Sequence, residues 1–191
     1  MKCRTFSGLN LSLFCKIGFL AFAIGFVAII GSTTASDPMN SLFERNAVVG
    51  LRVAPLPLNL AGKSRAAVGY GSYLINVVGT CNGCHAVKEY AEGGDPFKGE
   101  PAQVDTTAYL RGGVNFGSAI SASIRPEPAN GLPGGLTYNQ FVDAMRNGAN
   151  HVKPGQLLQV MPWPSYKSLA DIELQAMYQY LRALPAADPM K

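Results

Sequence analysis

Residues 81–85 read Cys-Asn-Gly-Cys-His, and the fold follows from what this pentapeptide requires. Two cysteines separated by two residues and followed at once by histidine form the attachment pattern of a c-type haem. Each thiol adds across one vinyl group of the porphyrin to make a thioether, and the two-residue spacer lets both sulfurs reach adjacent vinyls on one side of the ring. The next side chain, His85, then aims its imidazole at the iron. Asn82 and Gly83 are small enough to let the turn lie against the porphyrin, where glycine carries little steric cost.

Other chemistries use the same residue types. A thioredoxin-type redox pair needs a βαβ context, but no alternating pattern surrounds Cys81, and the residues before it have helical spacing. A structural zinc site needs four ligands, which Cys81, Cys84, His85 and His151 can supply in number. A disulfide or a chance occurrence completes the alternatives. Cysteine usage weighs toward haem: Cys3 and Cys15 lie in a leader-like segment, so Cys81 and Cys84 stand alone in the rest of the chain. An exported protein would pair its cysteines as structural disulfides, and two thiols three positions apart ask for another role.

Export is read from the first 36 residues. Lys2, Arg4 and Lys16 precede an uncharged apolar run from Ile17 to Ile30, and the small residues Thr33-Thr34-Ala35 then offer a cleavage site after Ala35. A 14-residue helix covers about 21 Å, short of the roughly 30 Å hydrocarbon core. Residues 1–35 are therefore expected to be a signal peptide, directing the protein to the periplasm. The alternative is an uncleaved inner-membrane anchor facing the periplasm, because the uncharged stretch extends to Ser36. Membrane contact is expected only in that case. Setting aside the three leader cations leaves 13 of 16 Lys and Arg against 12 acids. This near-neutral body lacks the basic stripe of a nucleic-acid partner. Its length suits one folded domain, and 48% hydrophobic against 15% charged residues provides a core.

A haem iron that carries electrons needs a second axial ligand, and Met opposite His raises the potential. Met39 and Met190 are terminal, while Met145 and Met177 complete apolar helix faces. Met161 stands in Val160-Met161-Pro162-Trp163-Pro164-Ser165-Tyr166, where two prolines are expected to stiffen an extended loop. Met161 is therefore the expected distal ligand, with His151 as its rival. Trp163 and Arg146 are candidates to hydrogen-bond the haem propionates. Plain loop packing for Trp163 and a solvated helix end for Arg146 are the alternatives.

Three helices are predicted. Ser64–Val78 places Ala67, Tyr70, Gly71, Leu74 and Val78 on one face. Thr137-x-x-Gln140 opens a second helix as a capping box, and Gly148 stops it. Ser168 is expected to cap a third, with Asp171 completing the box, an apolar stripe through Leu169, Ile172, Ala176, Met177, Tyr180, Leu181 and Leu184, and Pro185 as terminator. Gly71 lacks a Cβ, so the last helix can cross the first closely there, with Tyr180 filling the crossing. Residues 92–136 hold nine glycines and five prolines without periodicity. The haem face is expected to order that loop. There is no internal repeat and no second haem motif.

Four features in order, the glycine-containing first helix, Cys81–His85, Met161-Pro162-Trp163-Pro164, and the Tyr180-Leu181 helix, resemble the class I monohaem c-type cytochromes. The resemblance spans roughly residues 66–185. Gly71-Ser72-Tyr73-Leu74 and Met145-Arg146-x-Gly148 are similar to periplasmic cytochrome c domains that take electrons from membrane dehydrogenases. It implies an all-α, cytochrome c-like fold of three or more helices with long Gly/Pro-rich loops around one covalent haem c, attached at Cys81 and Cys84 and ligated by His85 and Met161. Members of that family often carry an Asn-x-Thr-Pro segment where this chain reads Ser123-Ile124-Arg125-Pro126. The domain organisation expected is leader (1–35), Pro-containing extension or tether (36–63), and cytochrome domain (64–191).

The function expected is one-electron shuttling in the cell envelope rather than enzymatic turnover, since the redox chemistry belongs to the cofactor. Redox partner proteins, a membrane or periplasmic dehydrogenase and a terminal oxidase among them, would be its company. The alternative is a haem-based small-ligand sensor or catalyst in which Met161 dissociates.

Overall fold

The computed structural model describes residues 38–190. The predicted signal peptide or anchor lies outside the described residues. Within them the chain is helical and has no strand, only isolated β-bridges, in line with the all-α class expected. No helix of the described residues is long and apolar enough to cross a membrane.

The first helix, α1 (Pro38–Val53), falls in the segment read as a Pro-containing extension. Pro38 sits at its first position, where the missing N–H costs nothing, and Pro55 and Pro57 follow its end rather than interrupt it. Phe43, Ala47, Gly50 and Ala54, spaced four, three and four apart, face the body of the protein. There α1 crosses α2 (Arg65–Tyr73) glycine on glycine: a Cβ on Gly50 would enter the Gly69 carbonyl, and one on Gly69 the Ala47 carbonyl. Ser72 Oγ donates to Gly50 O at 2.7 Å inside this crossing. The following segment stays attached, Asn59 N–H donating to Ala183 O.

Ser64, read as the first residue of this helix, is its N-cap, accepting from Ala67 N. The helix then widens into a π-helical turn, Leu74–Val78, closed by Gly79 N–H to Leu74 O at 2.7 Å. Gly71 and Leu74 of the expected face are buried, and the extra residue per turn shifts the face only beyond Leu74. Val68, Gly71, Ser72, Leu74 and Ile75 are buried, whereas Val78, expected in the core, is 60% exposed. π-bulges mark functional positions in many helices. Here the turn aims Asn76 inward, where Tyr109 OH donates to its Oδ1 (2.6 Å) and its Nδ2 donates to Tyr180 OH (3.2 Å). The two tyrosine hydroxyls meet at 2.7 Å and close a three-membered ring of hydrogen bonds. Tyr109 and Tyr180 are fully buried, so each hydroxyl needs these partners.

The last helix, α6 (Asp171–Ala183), starts two residues later than the predicted Ser168 cap allows. Ala170 is the N-cap, and Glu173 reaches back to its backbone N–H at 2.8 Å. In this register Ile172 turns outward, 57% exposed, and Leu174, Met177, Tyr178 and Leu181 enter the core. The predicted Gly71 crossing is present: a Cβ there would enter the Ala176 carbonyl and press on Tyr180 Cβ. Leu184 ends the helix before Pro185.

Helix α4 (Tyr138–Asn147) has the predicted boundaries. Thr137 Oγ1 accepts from Gln140 N, Gln140 Oε1 accepts from Thr137 N at 2.9 Å, and Gly148 closes the helix at φ +68°. Thr137→Ala is expected to cost about 1 kcal/mol, read as a fall of about 2–4 °C in the melting temperature. The 92–136 loop has its own braces besides any cofactor. Isolated bridges pair Tyr90 with Val104, Asn115 with Ile120 and Pro126 with Pro133. Asp105 Oδ1 accepts from Thr107 N, Thr107 Oγ1 and Ala108 N, and these bonds, with Lys88 nearby, hold its carboxyl below the usual range.

Candidate haem site

The Cys-Asn-Gly-Cys-His turn begins where the π-helical turn ends. Thr80 takes φ +43° to break the helix direction, and Cys81 N–H donates to Ile75 O. One helical turn follows, α3 (Asn82–His85), with His85 N–H bonded to Cys81 O at 2.9 Å. Cys81, Cys84 and His85 therefore share a face, spaced three and four along a helix. Both cysteines are free thiols; Cys84 is exposed and Cys81 half-buried. Burial pushes the Cys81 thiol up to about 12, the opposite of the low-pKa cysteines that serve in redox pairs.

His85 is gripped twice by one loop. Its ring Nδ1 lies 2.7 Å from Ala122 O, and its own carbonyl accepts from Gly112 N–H at 2.7 Å. A carbonyl only accepts, so Nδ1 carries the proton, and in the neutral ring Nε2 keeps its lone pair. Desolvation lowers the imidazole pKa, with the Ala122 bond opposing it. A neutral ring anchored through Nδ1–H is the arrangement of a metal-ligating histidine. Gly112, at φ +71°, allows the grip, because a Cβ there would enter the backbone of Ser121, Ala122 and Ser123. Sequence reasoning missed both Gly112 and Ala122. The Gly112-Gly113 pair was the available signal, while a carbonyl acceptor leaves none in the sequence.

Asn82 faces away from the turn's open side. It is buried, accepts from Leu110 N–H at 3.0 Å, and its Nδ2 has no hydrogen-bond partner. Asn82 therefore ties the turn to the body of the protein.

The Met161 segment is not the extended loop expected. Met161 N–H donates to Gln159 O and Trp163 N–H to Met161 O, each at 2.8 Å, so two tight γ-type bonds flank the methionine. Pro162 and Pro164 then serve as N-cap and early positions of a short helix, α5 (Trp163–Tyr166), where proline is tolerated. Val160 holds φ +70°, a strained conformation for a β-branched residue. Met161 and Tyr166 are half-buried, packed against the core on one side, as are Cys81 and Ile124. Tyr166 joins this segment to the haem motif: its phenol pKa is raised by burial and then by proximity to Cys81 and Cys84.

The Trp163 indole fills the space over Gly148, since a Cβ on that glycine would enter its ring. Its Nε1–H has no intramolecular partner among the described residues and is free to donate. Arg146 is committed elsewhere: Nη1 donates to Lys167 O (2.7 Å), and Nη2 to Leu169 O (3.0 Å) and Asp171 Oδ1 (2.6 Å). It pins the α5–α6 connection to α4. His151 Nε2 lies 3.5 Å from Asp143 Oδ2 on α4. Among the described residues no three His, Cys, Asp or Glu side chains are gathered to hold a metal ion, so His151 does not complete a zinc set with the cysteine turn.

These residues fit a c-type haem: two free thiols on one turn, a neutral imidazole with Nε2 unprotonated, and half-buried apolar side chains beside them. No family model matches the chain. It is similar to the gluconate 2-dehydrogenase cytochrome c subunit of Pantoea cypripedii, 34% identical over 116 residues, 60% of this chain and 22% of that protein. It is also similar to a nicotinate dehydrogenase subunit of Pseudomonas putida, 30% identical over 130 residues, 68% of this chain and 10% of that protein. The alcohol dehydrogenase (quinone) cytochrome c subunit of Gluconacetobacter polyoxogenes is 30% identical over 132 residues, 66% of this chain and 24% of that protein. The chain thus spans a quarter or less of the length of these curated relatives.

Proposed function

We propose that this chain, a relative of the cytochrome c subunits of dehydrogenases, is a one-electron carrier of the class I monohaem type. Cys81 and Cys84 hold one haem c through thioethers, and His85 and Met161 are its axial ligands. The group supplies a one-electron couple when bound. The chain's own residues do the rest. Ala122 O orients the His85 ring and fixes its tautomer, the Met161 turn presents a thioether, and Tyr166 and Ile124 exclude water. Trp163 Nε1–H is the propionate donor in this reading, with Arg146 contributing through donors that its carbonyl and Asp171 bonds leave over. The observation that carries the proposal is the neutral, carbonyl-anchored His85 at the end of a turn bearing two free thiols.

The electron donor is a dehydrogenase of the kind its relatives serve, the acceptor a terminal oxidase, and the site of action the periplasm. Expression with cytochrome maturation machinery is expected to give a red protein whose haem stain survives a denaturing gel, because only thioether-linked haem does. Colourless protein made under those conditions rejects the proposal.

A second reading, a sensor or catalyst with a labile Met161, draws on the strained Val160. Rapid carbon monoxide binding by the ferrous wild type supports that reading, and an inert low-spin spectrum supports the carrier.

A further inference from the structure

Arg125 is 5% exposed, yet no ion pair among the described residues includes it. Its guanidinium is spent on backbone carbonyls. Nε donates to Pro185 O at 2.8 Å, Nη2 donates to the same oxygen, and Nη1 reaches Tyr109 O at 3.4 Å. The charged side chain acting on it most strongly is another cation, Arg111, whose own donors go to the carbonyls of Asp188 and Thr107. An arginine keeps its proton even when desolvated. The protein therefore carries a fixed positive charge in its interior, satisfied by dipoles and, among the described residues, not paired with a carboxylate, which is a costly arrangement to maintain.

Its position gives that cost a purpose. Arg125 belongs to the loop that grips His85, three residues beyond Ala122, whose carbonyl binds the imidazole. Ile124, between them, packs half-buried against the core, as does Cys81. Tyr109, whose carbonyl Arg125 bonds, precedes Leu110, and the Leu110 N–H binds Asn82 inside the haem motif. The charge thus sits on the segment whose Ala122 carbonyl holds His85, where this chain reads Ser-Ile-Arg-Pro.

We infer that Arg125 is an electrostatic element that raises the reduction potential of the haem. The inference rests on the haem reading of Cys81–His85. Reduction adds one electron to ferric iron, forms and breaks no bond, and lowers the charge of the site by one. A nearby fixed cation favours that change. Because Arg125 is buried, salt screens it far less than the surface charges, whose fields decay over about 8 Å at physiological ionic strength.

The test is potentiometric titration of the intact holoprotein. Arg125→Gln is expected to lower the midpoint potential by on the order of 59 mV, the one-electron equivalent of a tenfold change in equilibrium, with the low-spin spectrum retained. Arg125→Lys, which keeps the charge but loses the two-donor clamp on Pro185, is expected to hold the wild-type potential while melting lower. The partly exposed Arg111→Gln should shift the potential much less. A haem-loaded Arg125→Gln at the wild-type potential overturns the inference, as does an Arg125→Lys that falls as far as Arg125→Gln, which marks a purely structural clamp. An Arg111→Gln shift equal to that of Arg125→Gln also overturns it. Where Arg125→Gln does not fold, Arg125→Met, which keeps the apolar stem, must give the same lowered potential, and an unshifted value rejects the idea. Failure of the wild type to take up haem is a separate result and refutes the haem assignment itself.

Discussion

Replacing Met161 with alanine is expected to leave the haem attached while converting a six-coordinate low-spin centre to one with an open distal position. The thioethers depend on Cys81 and Cys84 and do not involve residue 161. Loss of the thioether ligand removes the donor that raises the potential in His/Met centres, so the midpoint potential should fall well below that of Arg125→Gln. Ferrous Met161→Ala should bind carbon monoxide readily. The measurements are absorption spectra of both redox states and a potentiometric titration beside wild type. An unchanged spectrum and potential would show that another residue ligates the iron. His151→Ala identifies the rival: an altered spectrum in that variant, with none in Met161→Ala, transfers the role to His151.

The second large effect falls on stability. Gly71→Ala places a methyl group inside the Ala176 carbonyl and against Tyr180 Cβ. The obstacle is backbone, so no side-chain rotation relieves it, and α6 must move away from α2. Overpacking costs typically 1–3 kcal/mol, and this site should lie at the top of that range, about 3 kcal/mol. Moving α6 also strains the Tyr109–Asn76–Tyr180 ring, whose three groups sit on three segments of the chain. Denaturant unfolding of the holoprotein should show a clearly lowered midpoint, and haem yield should drop. Gly93→Ala is the control. Gly93, unlike the helical Gly71, has a positive φ, +73°, but a Cβ there meets nothing within 4 Å, so only the backbone preference is lost, about 1 kcal/mol. Equal losses at the two positions would show that the helix crossing tolerates a Cβ.

Some features were legible because their causes are local. The Thr137–Gln140 box and the Gly148 stop each depend on residues within four positions of the backbone groups they satisfy. The Gly71 crossing was legible for a different reason: a glycine and an aromatic on two apolar helix faces restrict how those faces can meet. Where competing local signals existed, the reading slipped. Ser168 and Ala170 both precede a carboxylate by three residues, and Glu173 caps Ala170 while Asp171 binds Arg146. Helix α1 was hidden by the two prolines after it, which end a helix as readily as they prevent one.

The amino-acid sequence alone determined the chemistry on offer, two thiols and an imidazole on one turn, and the helices whose ends are capped by near neighbours. Tertiary structure decided which way those groups face. The Ala122 carbonyl that sets the His85 tautomer, the π-helical turn that brings Asn76 to two tyrosines, and the carbonyl cage around Arg125 are contacts between segments distant along the chain. Their partners are largely backbone atoms, which every residue possesses, so only the folded arrangement singles them out.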